Sequence, residues 1–360
     1  MKSAIRVKII SMAALFCLSL GVLIISCSKS GNSTPPPNKT TLQKAVDSAN
    51  WYLNNTTEGT KPGQYTVGSK ATLTTAVASA TAILNSSTST QTEMDNAAAN
   101  LNAATTAYKG AYIQQIAAAN LIAYWKFNGN ANDSSGNGHN GAVTKGHAFF
   151  GAGTPALTAD RFGNANKAYH FDQGGNIDIP FNAAFNAQQM SISLWARLDT
   201  AGRTVNPANC YMISFDRWNG WKFQTQPLLP FYTVHAFESA ATPPDTTYYD
   251  RDDAGTKVNP GTTWYHLVVT FKPGEEDFYI NGALVKTWTN VPGTPITITT
   301  PPDITIGSDL PTSAYSTDPN NANYVNYGGF WKGDLDDVMF YNISLTAPQV
   351  QSIFNDQNTQ

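Results

Sequence analysis

From about Leu121 onward, apolar and polar residues alternate in short runs that are separated by turn-forming residues. This alternation is typical of strands that have one face in a core and the other toward solvent. The clearest hairpin signal is Asn281-Gly282, between the runs DFYI and ALVKTW, because this dipeptide fits tight two-residue turns. So many short strands over a region of this length predict a two-sheet β-sandwich.

The region before these strands has a different period. Apolar residues recur there at three- and four-residue steps in three stretches, which predicts three amphipathic helices that pack on one another. The glycines and proline of EGTKPGQYTVGS separate the first helix from the second, and the polar stretch 86–90 separates the second from the third. The stripe spacing and the EG…GQY…G connection resemble the small three-helix modules of the FIVAR type in bacterial surface proteins. That resemblance implies a spacer or an accessory binding module.

The N-terminus has the pattern of an export signal. A basic head (residues 2–8) precedes the almost wholly apolar stretch 9–25. The stretch ends in ISC at Cys27 and is followed at once by the polar, proline-rich SKSGNSTPPPN. This resembles a bacterial lipobox, in which a signal peptidase cuts before a cysteine that then carries acyl chains. The resemblance implies that Cys27 is lipidated; an ordinary secretory signal and an uncleaved anchor are the alternatives.

Five blocks of the C-terminal region resemble the laminin-G-like, concanavalin A-like jelly-roll lectins. In chain order they are LIAYWKFNGNANDSSGNGHNG, DRFGNANKAYHFDQGGNIDIP, SISLWARL, TWYHLVVTFKPGEEDFYINGALV and GDLDDVMFYNISLTAPQVQSIF. The blocks cover the whole region in order, and the resemblance implies an exported binding module. A fold of this kind does not by itself identify the ligand.

The predicted fold is therefore an all-β jelly-roll sandwich of the concanavalin A-like type with a separate N-terminal all-α three-helix bundle. The predicted segments are a lipoprotein signal peptide (1–26), a Ser/Pro-rich tether (27–40), a FIVAR-like three-helix module (41–118) and a laminin-G-like jelly-roll domain (119–360).

The polar stretch NDSSGNGHNG is a candidate metal-binding loop. Its glycines allow tight turns, and Asp133 and Asn140 offer side-chain oxygens toward the about six to eight that calcium binds. A second carboxylate is needed, and alternation with the apolar Val338 predicts that Asp336 faces inward, where it would need a partner. The family resemblance implies a structural calcium on Asp133, Asn140, backbone oxygens near Gly138, and Asp336. The alternative is a turn that is stabilised by its own hydrogen bonds.

Three segments combine aromatic and polar residues as a sugar site requires, because sugars present C–H faces that are flanked by hydroxyl groups. The segments are DRWNGWKFQTQ, TTYYDRDD and DPNNANYVNYGGFW. The alternative is that each ring packs its own loop against the sandwich. The candidate ligand-binding residues are Trp218, Trp221, Tyr248, Tyr249, Tyr327 and Trp331.

Charge and motifs limit the function classes. The net charge of −3 gives no electrostatic basis for binding nucleic acid. In residues 119–360 acidic side chains outnumber basic ones by 21 to 13, which favours a neutral polysaccharide over an anionic one. Glycoside hydrolysis needs paired carboxylates, and no segment of the E-x-D-x-x-E kind is present.

The apolar segment CYMISF around Cys210 predicts that this cysteine is a core residue rather than a nucleophile.

The sequence therefore predicts a lipid-anchored lectin-like protein of the bacterial outer membrane or cell surface. We expect it to bind extracellular glycan without cleaving it. The alternatives are a surface adhesion protein that binds a protein partner through the jelly roll, and a glycoside hydrolase of the same fold.

Overall fold

The computed structural model describes residues 35–199, 210–239, 244–253 and 255–359. The predicted export signal and Cys27 lie outside these residues. Within the described part, no helix has both the length and the apolar composition needed to cross a membrane.

The N-terminal region is a bundle of three helices. They are α1 (Thr40–Asn55), α2 (Ser69–Asn85) and α3 (Gln91–Gly110), and a short strand pair, β1 (Glu58–Gly59) with β2 (Tyr65–Thr66), lies between α1 and α2. Each helix buries the apolar stripe that its sequence indicates, including Leu42, Leu73 and Leu101. The predicted all-α bundle is confirmed, while its likeness to the FIVAR modules stays a prediction.

The rest of the described chain is mainly β-structure and ends in the helix α4 (Ala347–Gln357). In chain order its strands are β3 (Leu121–Trp125), β4 (Ala142–Thr144), β5 (Ala156–Thr158), β6 (Ala168–Phe171), β7 (Asn176–Ile179), β8 (Met190–Leu198), β9 (Cys210–Phe215), β10 (Trp221–Thr225), β11 (Pro230–Glu238), β12 (Asp245–Asp252), β13 (Tyr265–Lys272), β14 (Glu275–Ile280), β15 (Ala283–Trp288), β16 (Thr294–Pro295), β17 (Ile304–Ile306) and β18 (Gly333–Tyr341).

These strands form two antiparallel sheets, which confirms the predicted sandwich. Sheet I has the order β12-β11-β10-β9-β17-β7-β4, with β16 beside β11. Sheet II has the order β15-β14-β13-β8-β18-β6-β5, with β3 beside β18. One continuous apolar core contains residues from both sheets, among them Phe223 of sheet I and Phe278 of sheet II. Cys210 is buried within this core, as its apolar surroundings predict.

The predicted hairpin at Asn281-Gly282 joins β14 to β15. Both turn residues have positive φ angles, 51° and 78°, which is the conformation that this dipeptide favours. The opening and closing blocks of the domain also pair directly, because Trp125 of β3 lies opposite Val338 of β18.

Helix α4 packs on the outer face of sheet II. The ring of Phe354 stacks on Trp195 of β8 with 5.7 Å between centroids, and Val350 is buried against residues of β13, β14 and β18. Ser352 Oγ donates a hydrogen bond to Thr60 O in the connection between α1 and α2. Helix α4 therefore covers part of the outer face of sheet II.

Candidate functional site

A row of polar side chains crosses the outer face of sheet I. Its residues lie in register on six neighbouring strands, and their chain neighbours, such as Trp221 and Phe223, point into the core. This follows from strand geometry, because successive side chains point to opposite faces. In spatial order the row is Asp250, Thr233, Lys222, Ser214, Thr305 and Asp178.

One end of this row opens into a cavity of about 300 Å³, which we call the sheet I pocket. It is lined by Trp218, Lys222, Thr233, Tyr248 and Asp250. The rings of Trp218 and Tyr248 are 38% and 45% exposed, whereas Lys222 is only 6% exposed. Thr233 Oγ1 donates a hydrogen bond to Asp250 Oδ1 at 2.6 Å. The pocket therefore has aromatic rings accessible from solvent and a polar floor on the sheet.

Other planar groups hold both exposed rings in place. The guanidinium of Arg217 lies 5.2 Å from the centroid of the Trp218 ring, and the Tyr327 ring lies 6.0 Å from Trp218 on the surface. The Tyr248 ring stacks on His235 with 4.3 Å between centroids and 16° between planes. Such stacked and cation–π contacts restrict ring motion. The rings are thus oriented before any ligand arrives.

Lys222 gives the floor of the pocket its cation. Among the described residues its ammonium has neither a carboxylate within 4.0 Å nor a hydrogen-bond acceptor within 3.5 Å, and its contact is with the face of the Tyr211 ring, 5.5 Å to the centroid. Burial lowers the pKa of Lys222 to about 8; Asp250 and Asp309 partly offset this, and Arg217 adds to it. At neutral pH the group is still mainly charged.

Half of the predicted ligand-binding aromatics are in a position to meet a ligand. Trp218 and Tyr248 line the pocket, and Tyr327 is 45% exposed beside Trp218. The prediction is wrong for three others, Trp221, Tyr249 and Trp331, because each is at most 3% exposed and belongs to the sandwich core.

Strand parity explains which residues the sequence analysis chose wrongly. In β10, Trp221 points into the core and the next residue, Lys222, faces the pocket. In β12, Tyr249 points into the core and Asp250 faces the pocket. Sequence reasoning missed Lys222, Thr233 and Asp250 as pocket residues. Alternation within WKFQT, YTVHAF and TTYYDRDD carries the signal that could have found them.

The polar loop after β3 is held by hydrogen bonds to Asp133. Its Oδ1 accepts from the backbone N–H groups of Tyr124 and Ser135 at 2.9 and 2.8 Å, and its Oδ2 accepts from Ser135 Oγ and His139 N at 2.8 and 3.0 Å. Asn140 Oδ1 in turn accepts from Asp133 N. Burial raises the pKa of Asp133, but these hydrogen bonds outweigh it and lower the pKa overall. The loop's polar side chains and backbone thus satisfy one another.

Asp336 does not face the core as the sequence analysis expects. A β-bulge between Asp336 and Met339 adds a residue to β18 relative to β8, and Asp337 adopts a positive φ of 48°. Because of this extra residue, Asp336 and Val338 do not share a face of the sheet, although they are two residues apart. Asp336 Oδ2 accepts from Arg161 Nη1 at 2.7 Å, and Asp337 Oδ2 lies 3.0 Å from Arg161 Nη2.

The residues predicted to share a calcium ion have separate partners here. Both oxygens of Asp133 accept from N–H and O–H donors of the loop that contains Gly138 and Asn140, and Asp336 is neutralised by Arg161. A calcium ion bound to both carboxylates would have to displace these donors and the guanidinium. The present arrangement therefore does not fit the predicted calcium site, and the ion itself stays a prediction.

Arg161 also borders a cavity of about 230 Å³ that is lined by acidic residues of β18 and by Asp160. The carboxylates of Asp160, Asp336 and Asp337 in its lining already have partners. Tyr124 OH donates to Asp337 Oδ1 at 2.6 Å, and Asp160 accepts from the backbone N–H groups of Phe162 and Asn164. These contacts fit a structural role, which leaves the sheet I pocket as the better candidate for binding.

Comparison with known proteins places this fold in a family. Residues 171–351, half of the chain, match the model of the concanavalin A-like lectin/glucanases superfamily of the laminin G type. The chain belongs to this superfamily. Among curated proteins, none matches the sequence significantly. Because the superfamily contains both lectins and glucanases, membership defines the class of fold and does not decide between binding and hydrolysis.

Several solved structures are similar. One is domain 4 of an extracellular arabinanase from Geobacillus stearothermophilus in complex with arabinotriose, with 21% identity, a TM-score of 0.44, and coverage of 65% of this chain and 97% of that chain. Another is the binding domain of Paraclostridial mosquitocidal protein 1, with 16% identity, a TM-score of 0.47, and coverage of 67% and 53%. A third is the binding domain of botulinum neurotoxin serotype G, with 17% identity, a TM-score of 0.44, and coverage of 67% of this chain and 52% of that chain. This chain spans about half the length of the two toxin domains.

Proposed function

We propose that this protein is a lipid-anchored lectin of the bacterial outer membrane or cell surface, which binds extracellular glycan in the sheet I pocket and does not cleave it. The observation that carries the proposal is the pair of exposed rings, Trp218 and Tyr248, beside a polar floor that includes Lys222 and Asp250. Membership of a superfamily of lectins and glucanases supports it.

The pocket has the chemistry that a sugar ring requires. The aromatic faces of Trp218 and Tyr248 can cover the C–H face of a sugar, which removes apolar area from water. On the floor, Lys222 can donate hydrogen bonds and Asp250 can accept them. Because stacking already fixes the rings, less conformational freedom is lost on binding, and this favours affinity.

The charge pattern supports binding rather than hydrolysis. Glycosidases generally use two carboxyl groups, about 5–5.5 Å apart in retaining enzymes and about 6.5–9.5 Å apart in inverting ones. Of the described residues that line the pocket, Asp250 alone has a carboxylate, and it already accepts from Thr233. A second acid positioned for catalysis is missing from that set.

Localisation rests on the N-terminal sequence. The basic head, the apolar stretch 9–25 and the ISC motif at Cys27 support lipidation after export. The proline-rich tether and the helical bundle would then hold the sandwich away from the membrane, because proline-rich linkers stay extended.

A glycan array probed with the full chain in detergent tests this function. We expect binding to at least one polysaccharide, reduced tenfold or more in both Trp218→Ala and Tyr248→Ala. Trp51→Ala is the matched control, since Trp51 is an exposed ring on α1. Release of new reducing ends from the bound polysaccharide would contradict the non-cleaving function, and an array without any signal would contradict glycan binding.

A further inference from the structure

The floor of the sheet I pocket contains a buried cation that forms no ion pair with any residue that the structure describes. Lys222 is 94% buried by residue, lines the cavity, and has no carboxylate within 4.0 Å among the described residues. Removing an ammonium group from water without a compensating anion is costly. Such a group is therefore a candidate for ligand recognition, in which the ligand brings the missing charge.

The charged groups next to Lys222 form ion pairs or hydrogen bonds with other residues. Arg217 Nε donates to Asp309 Oδ2 at 2.5 Å, and Asp309 also accepts from Tyr315 OH and from the backbone N–H of Gly329. Asp309 thus serves Arg217 and its own loop rather than Lys222. Asp250 is exposed and accepts from Thr233, and it forms no ion pair with Lys222 within 4.0 Å.

We propose that the pocket selects a carboxylated sugar, a uronate residue of an acidic polysaccharide, whose carboxylate binds Lys222 Nζ and whose hydroxyl groups meet Asp250. This rests on the proposed glycan-binding function and narrows it to one class of ligand. A carboxylate forms a short, charge-assisted hydrogen bond with an ammonium group. A neutral hydroxyl could also accept from Lys222, but it would leave the buried charge uncompensated.

Strand register orients the sugar. Lys222, Thr233 and Asp250 lie opposite one another on β10, β11 and β12. Adjacent strands are about 4.8 Å apart, so the backbones that carry the cation and the carboxylate are separated by about 10 Å. A sugar ring above Thr233 can therefore reach Lys222 with its carboxylate and Asp250 with a hydroxyl on the other side. Asp250 would repel the carboxylate in the reversed orientation.

The acidic surplus of the domain does not oppose this ligand at contact range. Charges at the surface are screened over about 8 Å at physiological ionic strength. A carboxylate inside the pocket can meet Lys222 directly, at a hydrogen-bond distance that is short compared with this screening length. Direct contact with Lys222 thus favours a carboxylate in this pocket, although the domain-wide excess of acidic residues by itself predicts a neutral glycan.

The test compares one oligosaccharide in two forms, a uronate oligomer such as oligogalacturonate and the same oligomer after its carboxyl groups are reduced to alcohols. We expect the full chain to bind the acidic form at least tenfold more tightly. Lys222→Gln should lower binding of the acidic form at least tenfold and thereby abolish this difference. Lys44→Gln, which removes an exposed charge from α1, is the control for net charge and should keep the preference.

The outcomes separate the two proposals. If the protein binds neutral and acidic forms equally, and Lys222→Gln lowers neither selectively, the uronate inference is wrong while glycan binding stands. Binding to sulfated but not carboxylated polysaccharides would also overturn it. If no polysaccharide binds and the Trp218 variant behaves as wild type, the proposed function itself fails and the inference falls with it.

Discussion

Arg161 Nη1 lies 2.7 Å from Asp336 Oδ2, and both side chains are more than nine-tenths buried. The guanidinium also lies 4.5 Å from the centroid of the Trp195 ring and donates to the carbonyl oxygen of Gln357 at the end of α4. Burial and the nearby Asp337 raise the pKa of Asp336, and Arg161 opposes that shift. A side-chain cation thus stands beside the carboxylate for which the sequence predicts a metal ion.

Removing this cation should destabilise the sandwich. In Arg161→Met, Asp336 and Asp337 stay buried without a counter-charge, which typically costs about 3–5 kcal/mol of unfolding free energy. Urea unfolding measures the change. The control is Lys272→Met, whose ion pair with Glu275 is exposed and should contribute less than about 1 kcal/mol. Equal effects of the two substitutions would contradict a structural role for Arg161.

Chelation tests the predicted calcium site. Since Asp133 is saturated with hydrogen-bond donors and Asp336 is paired with Arg161, we expect the melting temperature to stay the same when EDTA is added. Differential scanning fluorimetry, together with elemental analysis of the purified protein, measures this. A stoichiometric calcium content and a fall of several degrees on chelation would instead support the calcium site and require a different loop conformation.

Asp133 should be a major determinant of loop stability. Asp133→Ala leaves N–H groups of Tyr124, Ser135 and His139 without their acceptor, and we expect a loss of about 2–4 kcal/mol. Because the folded pKa of Asp133 lies below its unfolded value, its contribution is present above about pH 4 and is lost as the pH falls. Urea unfolding at pH 7 and pH 3 should show a smaller difference between variant and wild type at the lower pH.

The control for that substitution is Asp318→Ala. Asp318 accepts from Asn320 N in an exposed turn, so water can replace the lost bond and the change should stay below about 1 kcal/mol. An effect of Asp133→Ala no larger than this would show that the loop does not depend on the carboxylate.

The buried Lys222 should lower the free energy of unfolding of the protein. Burial holds its pKa at about 8 in the folded state against 10.5 as the reference value, with Asp250, Asp309, Arg217 and Tyr211 as the charged or titratable groups around it. This pKa shift corresponds to a loss of at most about 3 kcal/mol in the free energy of unfolding. We therefore expect Lys222→Met to unfold with a higher free energy than wild type at pH 7.

The pH dependence of this difference has a defined sign. Between about pH 8 and pH 10.5 the unfolded chain holds the Lys222 proton that the folded chain has released, so wild-type stability gains with rising pH relative to the variant. The advantage of Lys222→Met should be largest below pH 8 and shrink toward pH 10. Urea unfolding across this range measures it, and a variant that is less stable than wild type at pH 7 would show that the ammonium has a stabilising partner.

Local patterns in the sequence determine much of this architecture. Three helical stripes predict three helices, and period-two alternation with Asn281-Gly282 predicts strands and a specific hairpin, because these features depend on neighbours a few residues apart. Of the six aromatic residues that the sequence analysis selects, three are exposed and three are buried in the core. Local patterns cannot indicate the bulge at Asp336 and Asp337. One extra residue in a strand moves every side chain beyond it to the face opposite to the one that simple alternation predicts.

The pocket is decided by tertiary structure. Lys222, Thr233 and Asp250 become neighbours only through the register of β10, β11 and β12, and Trp218 is positioned by Arg217, which in turn binds Asp309 from a distant segment. The burial that lowers the pKa of Lys222, and the lack of an ion-pair partner for it among the described residues, are properties of packing. Sequence spacing therefore specifies which elements form, while cross-strand register and packing determine which side chains meet and how their charges are balanced.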